Sequence, residues 1–280
     1  MTLIVGVKCS DGIVLGADSS ATFGVPLAGQ FTIRQDTATK LHLASNRIIL
    51  GVSGPVGLSQ SYSDEVDGCL SRHGNKVHWK YVQDAKTELS RLFWKHAGPA
   101  WEKARVVGGV VGQHATMECN HSTAVAFAIG QTAHLVQFTP QCNAEEVTQD
   151  LPFVALGSGQ PSADVFLAFI RRIFWPSQPT LSDGELATIW TLDEVIKQIP
   201  GFVGGKIQVA VLREDQSHNW KCFQLSEDEI SNHREMIQNI EKEMPKAAKL
   251  STTGPAPPVP TPPEAHADEA QPADESRNSN

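Results

Sequence analysis

The first 19 residues constrain the fold more than any other segment of the chain. TLIVGVK alternates apolar with polar or small residues, Ser10-Asp11-Gly12 is a turn of the Asp-Gly type, and IVLGADS resumes the strand pattern. Two strand-like segments joined by such a turn are typical of a β-hairpin. We therefore predict a strand that begins at residue 3, although chain ends are normally frayed.

The rest of the chain alternates between strand and helix patterns. Helices are predicted at 64–72, at 82–96 with an end at Gly98-Pro99, at 161–174, at 183–199, and after a capping box formed by Ser226 and Glu229. The predicted strands are TKLHLA, RIILGVS, ARVVGGVVG, STAVAFAIG, AHLVQFTP, FVALGSG, KIQVAVLRED and WKCFQL. This order predicts an α+β domain, a four-layer αββα sandwich in which two antiparallel sheets lie between helical layers.

The composition changes at Pro245. Residues 245–280 contain 8 of the 17 prolines, so we predict one domain over residues 1–244 and a disordered, Pro-rich acidic tail over residues 245–280. Two roles for the tail stay open: a solubilising extension or a docking peptide for a partner.

Composition also excludes several classes of protein. A net charge of -8 without an obvious basic patch argues against nucleic-acid binding. The sequence contains no apolar run near the ~18 residues of a membrane span, and its first residues do not resemble a secretory signal, so we expect a cytoplasmic protein without a membrane contact.

Metal and cofactor motifs are not found in the sequence. The five cysteines, Cys9, Cys69, Cys119, Cys142 and Cys222, are scattered without a C-x-x-C pair, which predicts free thiols in or near the core rather than disulfides or a zinc site. The ten histidines include no H-E-x-x-H, and the glycine-rich segments lack the spacing of phosphate-binding loops. We expect no metal and no cofactor.

Thr2 is the residue with the clearest chemical potential. Methionine before a small residue is normally removed, which would give Thr2 both a hydroxyl group and a free α-amine. An α-amine has a reference pKa of about 7.7–8.0 and can accept the hydroxyl proton. Such a site also needs a fixed cation to lower the pKa of the amine, a carboxylate to hold that cation, and N–H donors for an oxyanion.

Three segments resemble the proteasome β-subunit type of N-terminal-nucleophile (Ntn) hydrolases, including the simpler bacterial proteasome. They are TLIVGVKCSDGIVLGADSSATFG, TKLHLASNRIILGVSG and LGSGQPSA, and the resemblance extends from Thr2 to Leu225. As in that family, an aspartate, Asp18, lies sixteen residues after the threonine, and a lysine and a glycine, Lys40 and Gly54, lie fourteen apart. The resemblance implies a threonine protease that assembles into homo-oligomeric stacked rings.

The resemblance also implies roles for individual residues. Thr2 would be the nucleophile, Lys40 the ammonium, Asp18 the carboxylate that holds Lys40, Gly54 the oxyanion donor, and Ser158 a hydrogen-bond partner near the terminal amine. The substrate pocket would be lined by Ala21, Thr22, Ala38, Val52 and Val56, a mainly apolar set that suggests cleavage after hydrophobic residues. Peptides or unfolded proteins would be the substrates, and an ATPase unfoldase ring is an expected partner.

The sequence departs from the family where many members have an aspartate and a serine before a Gly-Gly pair. Pro200 and Val203 occupy these positions before Gly204-Gly205. Leu3 and Ser20 also replace common family residues. Two alternatives therefore stay open: an inactive scaffold subunit, and an amidase for small molecules on the same fold.

Overall fold

The computed structural model describes residues 2–23, 33–111, 121–201 and 203–251. The strands are β1 Ile4–Lys8, β2 Gly12–Ala17, β3 Ala21–Phe23, β4 Ile33–Gln35, β5 Leu41–Ala44, β6 Ile48–Ser53, β7 Ser122–Ile129, β8 Thr132–Phe138, β9 Ala144–Glu146, β10 Phe153–Leu156, β11 Gln208–Glu214 and β12 Trp220–Gln224. The helices are α1 Val56–Arg72, α2 Val82–Val111, α3 Gln160–Phe174, α4 Leu181–Gln198 and α5 Glu227–Ser251.

Two five-stranded antiparallel sheets form the centre of the fold. One has the order β10-β1-β2-β11-β12 and the other β5-β6-β7-β8-β9, while β3 and β4 pair separately. The predicted first hairpin is present, with Ile4 opposite Ala17 and Lys8 opposite Ile13. The predicted α+β class, with two antiparallel sheets and helices, is confirmed.

Apolar side chains of both sheets meet in a buried layer between them. Ile4 and Leu15 from the first sheet share this layer with Ile49 and Leu135 from the second. Because successive strand residues point to opposite faces, the other face of each sheet is free to receive helices. At Gly16 of β2, an added Cβ would collide with Thr188 of α4, so a residue without a side chain allows the close approach of helix and strand.

The helices α1 and α2 cover the outer face of the second sheet. Their side chains form one buried cluster with strand residues, in which Tyr62 stacks on Phe93 with ring centroids 4.3 Å apart. Helix α1 begins at Val56, earlier than the predicted residue 64, after Pro55 in an extended conformation.

The predicted end of the second helix and the strand predicted at 104–112 are wrong. Helix α2 is continuous from Val82 to Val111 and contains Pro99. Its buried face continues through the proline, since Phe93, Ala97 and Ala104 recur at helical spacing and are all buried. The valines of this segment suggested a strand, but packing of the apolar face determined the helix.

The chain divides into two compact units, residues 1–238 and 239–280. The capping box of α5 is confirmed, since Ser226 N donates to Glu229 Oε2 at 2.7 Å and Glu229 N donates to Ser226 Oγ at 3.3 Å. This helix extends to Ser251 and contains Pro245, and the domain boundary at residue 244 stays a prediction. The rest of the predicted tail, residues 252–280, lies outside the described residues.

The described cysteines, Cys9, Cys69, Cys142 and Cys222, are free and buried, as predicted. Cys119 lies outside the described residues. Burial raises the pKa of Cys222 to about 12, so this thiol stays protonated at neutral pH. None of the described helices is long and apolar enough to cross a bilayer.

Candidate active site

The candidate site lies where several neighbouring strands end. In the first sheet, Ala17 pairs with both Ile4 and Gln208, and Ile4 also pairs with Leu156. Thr2 therefore lies before β1, Asp18 directly after β2, and Ser158 shortly after β10. The three residues adjoin neighbouring strand ends although Ser158 is distant in sequence. In the second sheet, Leu41 pairs with Gly51. Lys40, which precedes β5, and the last residues of β6 therefore lie at the same end of this strand pair.

Asp18 is the most buried charged residue of this region. Its side chain is fully buried, and Lys40 Nζ donates to its Oδ1 at 2.6 Å, while the Lys40 side chain is only 7% exposed. The main-chain N–H of Leu3 donates to the same Oδ1 at 2.9 Å. A buried carboxylate requires such hydrogen-bond partners. Through the shared Oδ1 atom, the carboxylate links the Lys40 ammonium to the main chain of Leu3, the residue after Thr2.

The second carboxylate oxygen of Asp18 is held by main-chain donors. Ser20 N donates to Oδ2 at 3.2 Å, and Gly204 N donates to it at 3.1 Å. Because these donors belong to the backbone, the position of the carboxylate, and hence of the Lys40 ammonium, is fixed by the fold.

Thr2 is buried and held on its other side by the turn that follows β10. The main-chain N of Thr2 donates to Ser158 Oγ at 3.0 Å, and Gly159 N donates to Thr2 O at 3.2 Å. Gly157 has φ +96°, and an added Cβ there would collide with Thr2 O. The LGSG segment therefore packs directly against the backbone of Thr2, and its glycines permit that approach.

Gln208 was not predicted as a site residue, yet it positions the segment that carries Lys40. Its Oε1 accepts from Lys40 N at 3.1 Å, and its Nε2 donates to Ala38 O at 2.7 Å. This amide acts as a cross-link between β11 and the start of β5. A single glutamine inside a strand gave no sequence signal, since its partners are about 170 residues away.

A cavity of about 700 Å³ opens at these residues. Thr2, Lys40 and Gly54 line it, and so do the predicted pocket residues Ala21, Ala38, Val52 and Val56. Gly54 has φ 140°, a conformation that favours glycine. The side chain of Thr22, the remaining predicted pocket residue, lies outside what the structure describes.

The cavity also has a polar wall that the sequence did not indicate. Its further lining residues are Thr37, Thr39, Leu41, His42, Pro55, Ser59, Gln60, Ser63 and Asp64. The first turns of α1 supply much of this wall, and His42 Nε2 lies 2.7 Å from Asp67 Oδ2 of the same helix. The lining of the whole cavity is therefore mixed, and cleavage after hydrophobic residues stays a prediction.

Of the two positions before the glycine pair that depart from the family pattern, Pro200 is exposed and Val203 is packed into the core. Val203 is fully buried, and it lies where a Cβ added to Gly159 would meet its side chain. The glycine pair after it still contacts the site, since Gly204 N donates to Asp18 and Gly204 O accepts from Ser19 N at 3.1 Å. The loop thus supports Asp18 through its main chain.

Comparison with known proteins agrees with this geometry. The family described as "Proteasome subunit" matches residues 2–82, the segment that contains Thr2, Asp18, Lys40 and Gly54. Anbu (ancestral beta-subunit) from Yersinia bercovieri superposes with a TM-score of 0.58 at 18% identity, covering 92% of this chain and 99% of that one. The chain has the proteasome-subunit fold.

Two further solved structures show the same similarity. An Anbu (Gly-1) mutant from Hyphomicrobium sp. strain MC1 has a TM-score of 0.60 at 16% identity, covering 92% of this chain and all of that chain (100%). The structure titled "Helical Assembly of the Anbu Complex from Pseudomonas aeruginosa" has a TM-score of 0.58 at 19% identity, covering 95% and 100%. No curated protein matches the sequence. The resemblance to the proteasome subunit family and its bacterial homologues is confirmed, and at these low identities the structural similarity shows the fold alone.

Proposed function

We propose that this chain is an amino-terminal threonine hydrolase that cleaves peptide bonds. The observation that carries the proposal is the Asp18 carboxylate, which binds Lys40 Nζ and the main chain next to Thr2 with the same oxygen atom. The Lys40 ammonium and the main chain next to Thr2 therefore share one buried anchor, and this supports activation of a terminal threonine by a nearby cation.

The proposed reaction uses both functional groups of Thr2 after Met1 has been removed. The Thr2 hydroxyl attacks the substrate carbonyl carbon while its proton passes to the α-amine of the same residue. The nearby Lys40 ammonium disfavours a second positive charge and thereby keeps the amine available as a base. The Gly54 N–H would stabilise the oxyanion, and the Ser158 hydroxyl would orient the amine.

The intermediate then collapses with cleavage of the C–N bond. The proton held by the amine passes to the departing nitrogen, which leaves an ester between Thr2 Oγ and the acyl group. Water activated by the same amine hydrolyses this ester and restores the hydroxyl. No cofactor is needed for these steps.

We further propose that the chain acts on peptides or unfolded proteins as a homo-oligomer. The Pseudomonas aeruginosa Anbu structure is described as a helical assembly, which supports assembly of this chain as well. Val165 and Ile173 on α3 are 73% and 53% exposed, so this helix offers apolar surface to a second copy. Stacked rings, an ATPase unfoldase partner and a cytoplasmic location stay predictions.

The experiment compares the unaltered protein with Thr2→Ala and with Thr87→Ala, a control at an exposed threonine of α2 that does not line the cavity. Intact mass should show that Met1 is absent, and a panel of fluorogenic peptides with apolar, basic or acidic residues before the scissile bond should be hydrolysed. We expect Thr2→Ala to abolish hydrolysis and Thr87→Ala to retain it, with the assembled mass unchanged in both.

Retention of Met1 together with a lack of peptide hydrolysis would contradict the proposal. That outcome would favour the scaffold alternative, which the presence of Pro200 and Val203 in place of the family's acid and hydroxyl supports. Hydrolysis of small amides in the absence of peptide cleavage would favour the amidase alternative.

A further inference from the structure

A cluster of metal-binding side chains joins the helices α1 and α2, apart from the residues that line the cavity. Cys69 lies near the end of α1, Glu88 lies in α2, and His78 lies in the connection between them. Their donor atoms all lie within 4.8 Å of one another, and within the described ranges this is the group of three such residues that could hold an ion.

The separations within the cluster are close to those of a tetrahedral zinc site. Cys69 Sγ lies 3.4 Å from Glu88 Oε1, and His78 Nε2 lies 3.0 Å from Glu88 Oε2. Zinc bonds of about 2.0–2.3 Å at tetrahedral angles place two ligand atoms about 3.4–3.6 Å apart. The two contacts use different oxygens of Glu88, and the donor atoms lie up to 4.8 Å apart, so side-chain shifts of up to about 1 Å would admit the ion.

The chemistry of the donors selects the metal. A thiolate, an imidazole and a carboxylate form a borderline-soft set that suits Zn²⁺ better than Mg²⁺ or Ca²⁺, which favour oxygen ligands alone. The Cys69 thiolate and the Glu88 carboxylate would carry two negative charges against the two positive charges of the ion, while the Arg72 guanidinium beside Cys69 adds one positive charge. Charge balance matters here because Cys69 is only 1% exposed.

Neighbouring side chains hold two of the ligands in place. Trp79 Nε1 donates to Glu88 Oε2 at 2.8 Å, and His73 stacks on the His78 ring with centroids 3.6 Å apart. Contacts of this kind orient metal ligands in known sites. The His78 and Glu88 side chains are each 24% exposed, which leaves solvent access for a fourth ligand.

We propose that Cys69, His78 and Glu88 bind one Zn²⁺, with a water molecule as the fourth ligand. On binding, the Cys69 thiol releases its proton to solvent and its sulfur bonds to the metal. The ion connects α1, α2 and the segment between them. Since the first turns of α1 form the polar wall of the cavity, the zinc site would stabilise the helical layer that carries this wall.

The first test uses the unaltered full-length protein, purified without a polyhistidine tag. Elemental analysis should find about one zinc ion per chain. After removal of zinc with a chelator, addition of Co²⁺ should produce a thiolate-to-metal charge-transfer band and the visible bands of tetrahedral Co²⁺. This measurement needs no variant, so it does not depend on how substitutions affect folding.

The second test assigns the ligands. Cys69→Ser, His78→Gln and Glu88→Gln should each lower zinc content at least about tenfold and should abolish the stabilisation that zinc gives in thermal unfolding. Cys222→Ser is the matched control for a buried free cysteine. His134→Gln is the control for a histidine paired with a glutamate, since His134 Nδ1 lies 2.8 Å from Glu146 Oε1.

Two results would overturn the proposal. One is unaltered protein with less than about one tenth of a zinc ion per chain and no charge-transfer band with Co²⁺, which would leave a hydrogen-bonded cluster only. The other is a normal zinc content in the three ligand variants, which would place the metal elsewhere. Neither result bears on the proposed hydrolase activity, because the Thr2→Ala comparison is independent of this site.

Discussion

Strand β1 has a lysine–carboxylate pair at each end, and the two pairs differ in how they are built. At its amino end, the Asp18 side chain is fully buried and accepts hydrogen bonds from three main-chain groups besides the Lys40 ammonium. At its carboxyl end, Lys8 Nζ lies 3.3 Å from Glu146 Oε1, and this carboxylate is 26% exposed.

The comparison shows how a structural ion pair differs from a candidate catalytic one. The Glu146 carboxylate is also bound by the imidazole of His134, so its partners are side chains that solvent can replace. Backbone donors fix the Asp18 carboxylate. Burying a carboxylate away from water is costly unless each of its oxygens accepts a hydrogen bond. The fold thus holds one ammonium at a defined position beside Thr2, whereas the other pair mainly joins β1 to β9.

Asp18→Ala should have the largest effect of the variants that probe this contrast. It leaves the Lys40 ammonium buried without its carboxylate and frees the N–H groups of Leu3, Ser20 and Gly204. We expect the free energy of unfolding to fall by about 3–5 kcal/mol, with loss of peptide hydrolysis. Urea unfolding monitored by circular dichroism measures the change. A loss below about 1 kcal/mol would mean that the Asp18 pair is no more important than a surface pair.

Lys40→Ala separates catalysis from stability. The Asp18 carboxylate keeps its main-chain donors, so the expected loss of stability is below about 2 kcal/mol. Turnover should fall at least about 100-fold, because the cation beside the reacting amine is lost. Steady-state peptide hydrolysis, together with the assembled mass, tests this. Unchanged turnover would remove Lys40 from the proposed mechanism.

Gly157→Ala probes the turn that supports Thr2. The residue has φ +96° and an alanine Cβ would collide with Thr2 O, so we expect a loss of about 1–3 kcal/mol and a reduced rate of hydrolysis. Gly130→Ala is the matched control, since Gly130 has φ +59° but open space around it. The control should cost less than Gly157→Ala and leave hydrolysis unchanged. Equal effects of both variants would show that backbone strain alone, rather than contact with Thr2, explains the loss.

Glu146→Gln should have the smallest effect. Burial by itself raises the pKa of Glu146, but the hydrogen bond from His134 and the charge of Lys8 outweigh it and lower the pKa. A carboxyl whose pKa is lower in the folded state adds stability above its unfolded pKa and loses it as the pH falls through the folded pKa.

The difference in unfolding free energy between the unaltered protein and Glu146→Gln should therefore be largest at neutral pH, at about 1 kcal/mol or less. This difference should become smaller as the pH falls below the usual pKa range of carboxyl groups. Unfolding measured across acidic pH tests this. A difference that grows toward acid would contradict the assignment. Peptide hydrolysis should be unaffected at neutral pH.

Much of the fold could be predicted from local patterns. The hairpins follow from apolar alternation and turn residues, and the capping box of α5 follows from Ser226 and Glu229. The helix through Pro99 could not be predicted, because proline and the valines after it disfavour a helix locally, while burial of Ala97 and Ala104 favours it in the folded protein.

The candidate site divides in the same way. Thr2, Asp18, Lys40, Gly54 and Ser158 could be proposed because a known family has these residue types at matching positions. Gln208, the polar side of the cavity and the packing of Val203 could not, since each depends on contacts between residues far apart in sequence. Distant residues meet only when strands pair and helices pack.

The sequence by itself determined most of the strands and helices, because periodicity and turn chemistry act over a few neighbouring positions. The set of candidate catalytic residues came from the resemblance of the sequence to a known family. Only the tertiary structure decided that Lys40 and the residue after Thr2 share one carboxylate oxygen, and that Cys69, His78 and Glu88 meet. Cysteine spacing by itself predicted no metal site, but this spacing carries no information about which helices lie side by side. Strand register and helix packing set these distances, and the chemistry of both sites depends on them.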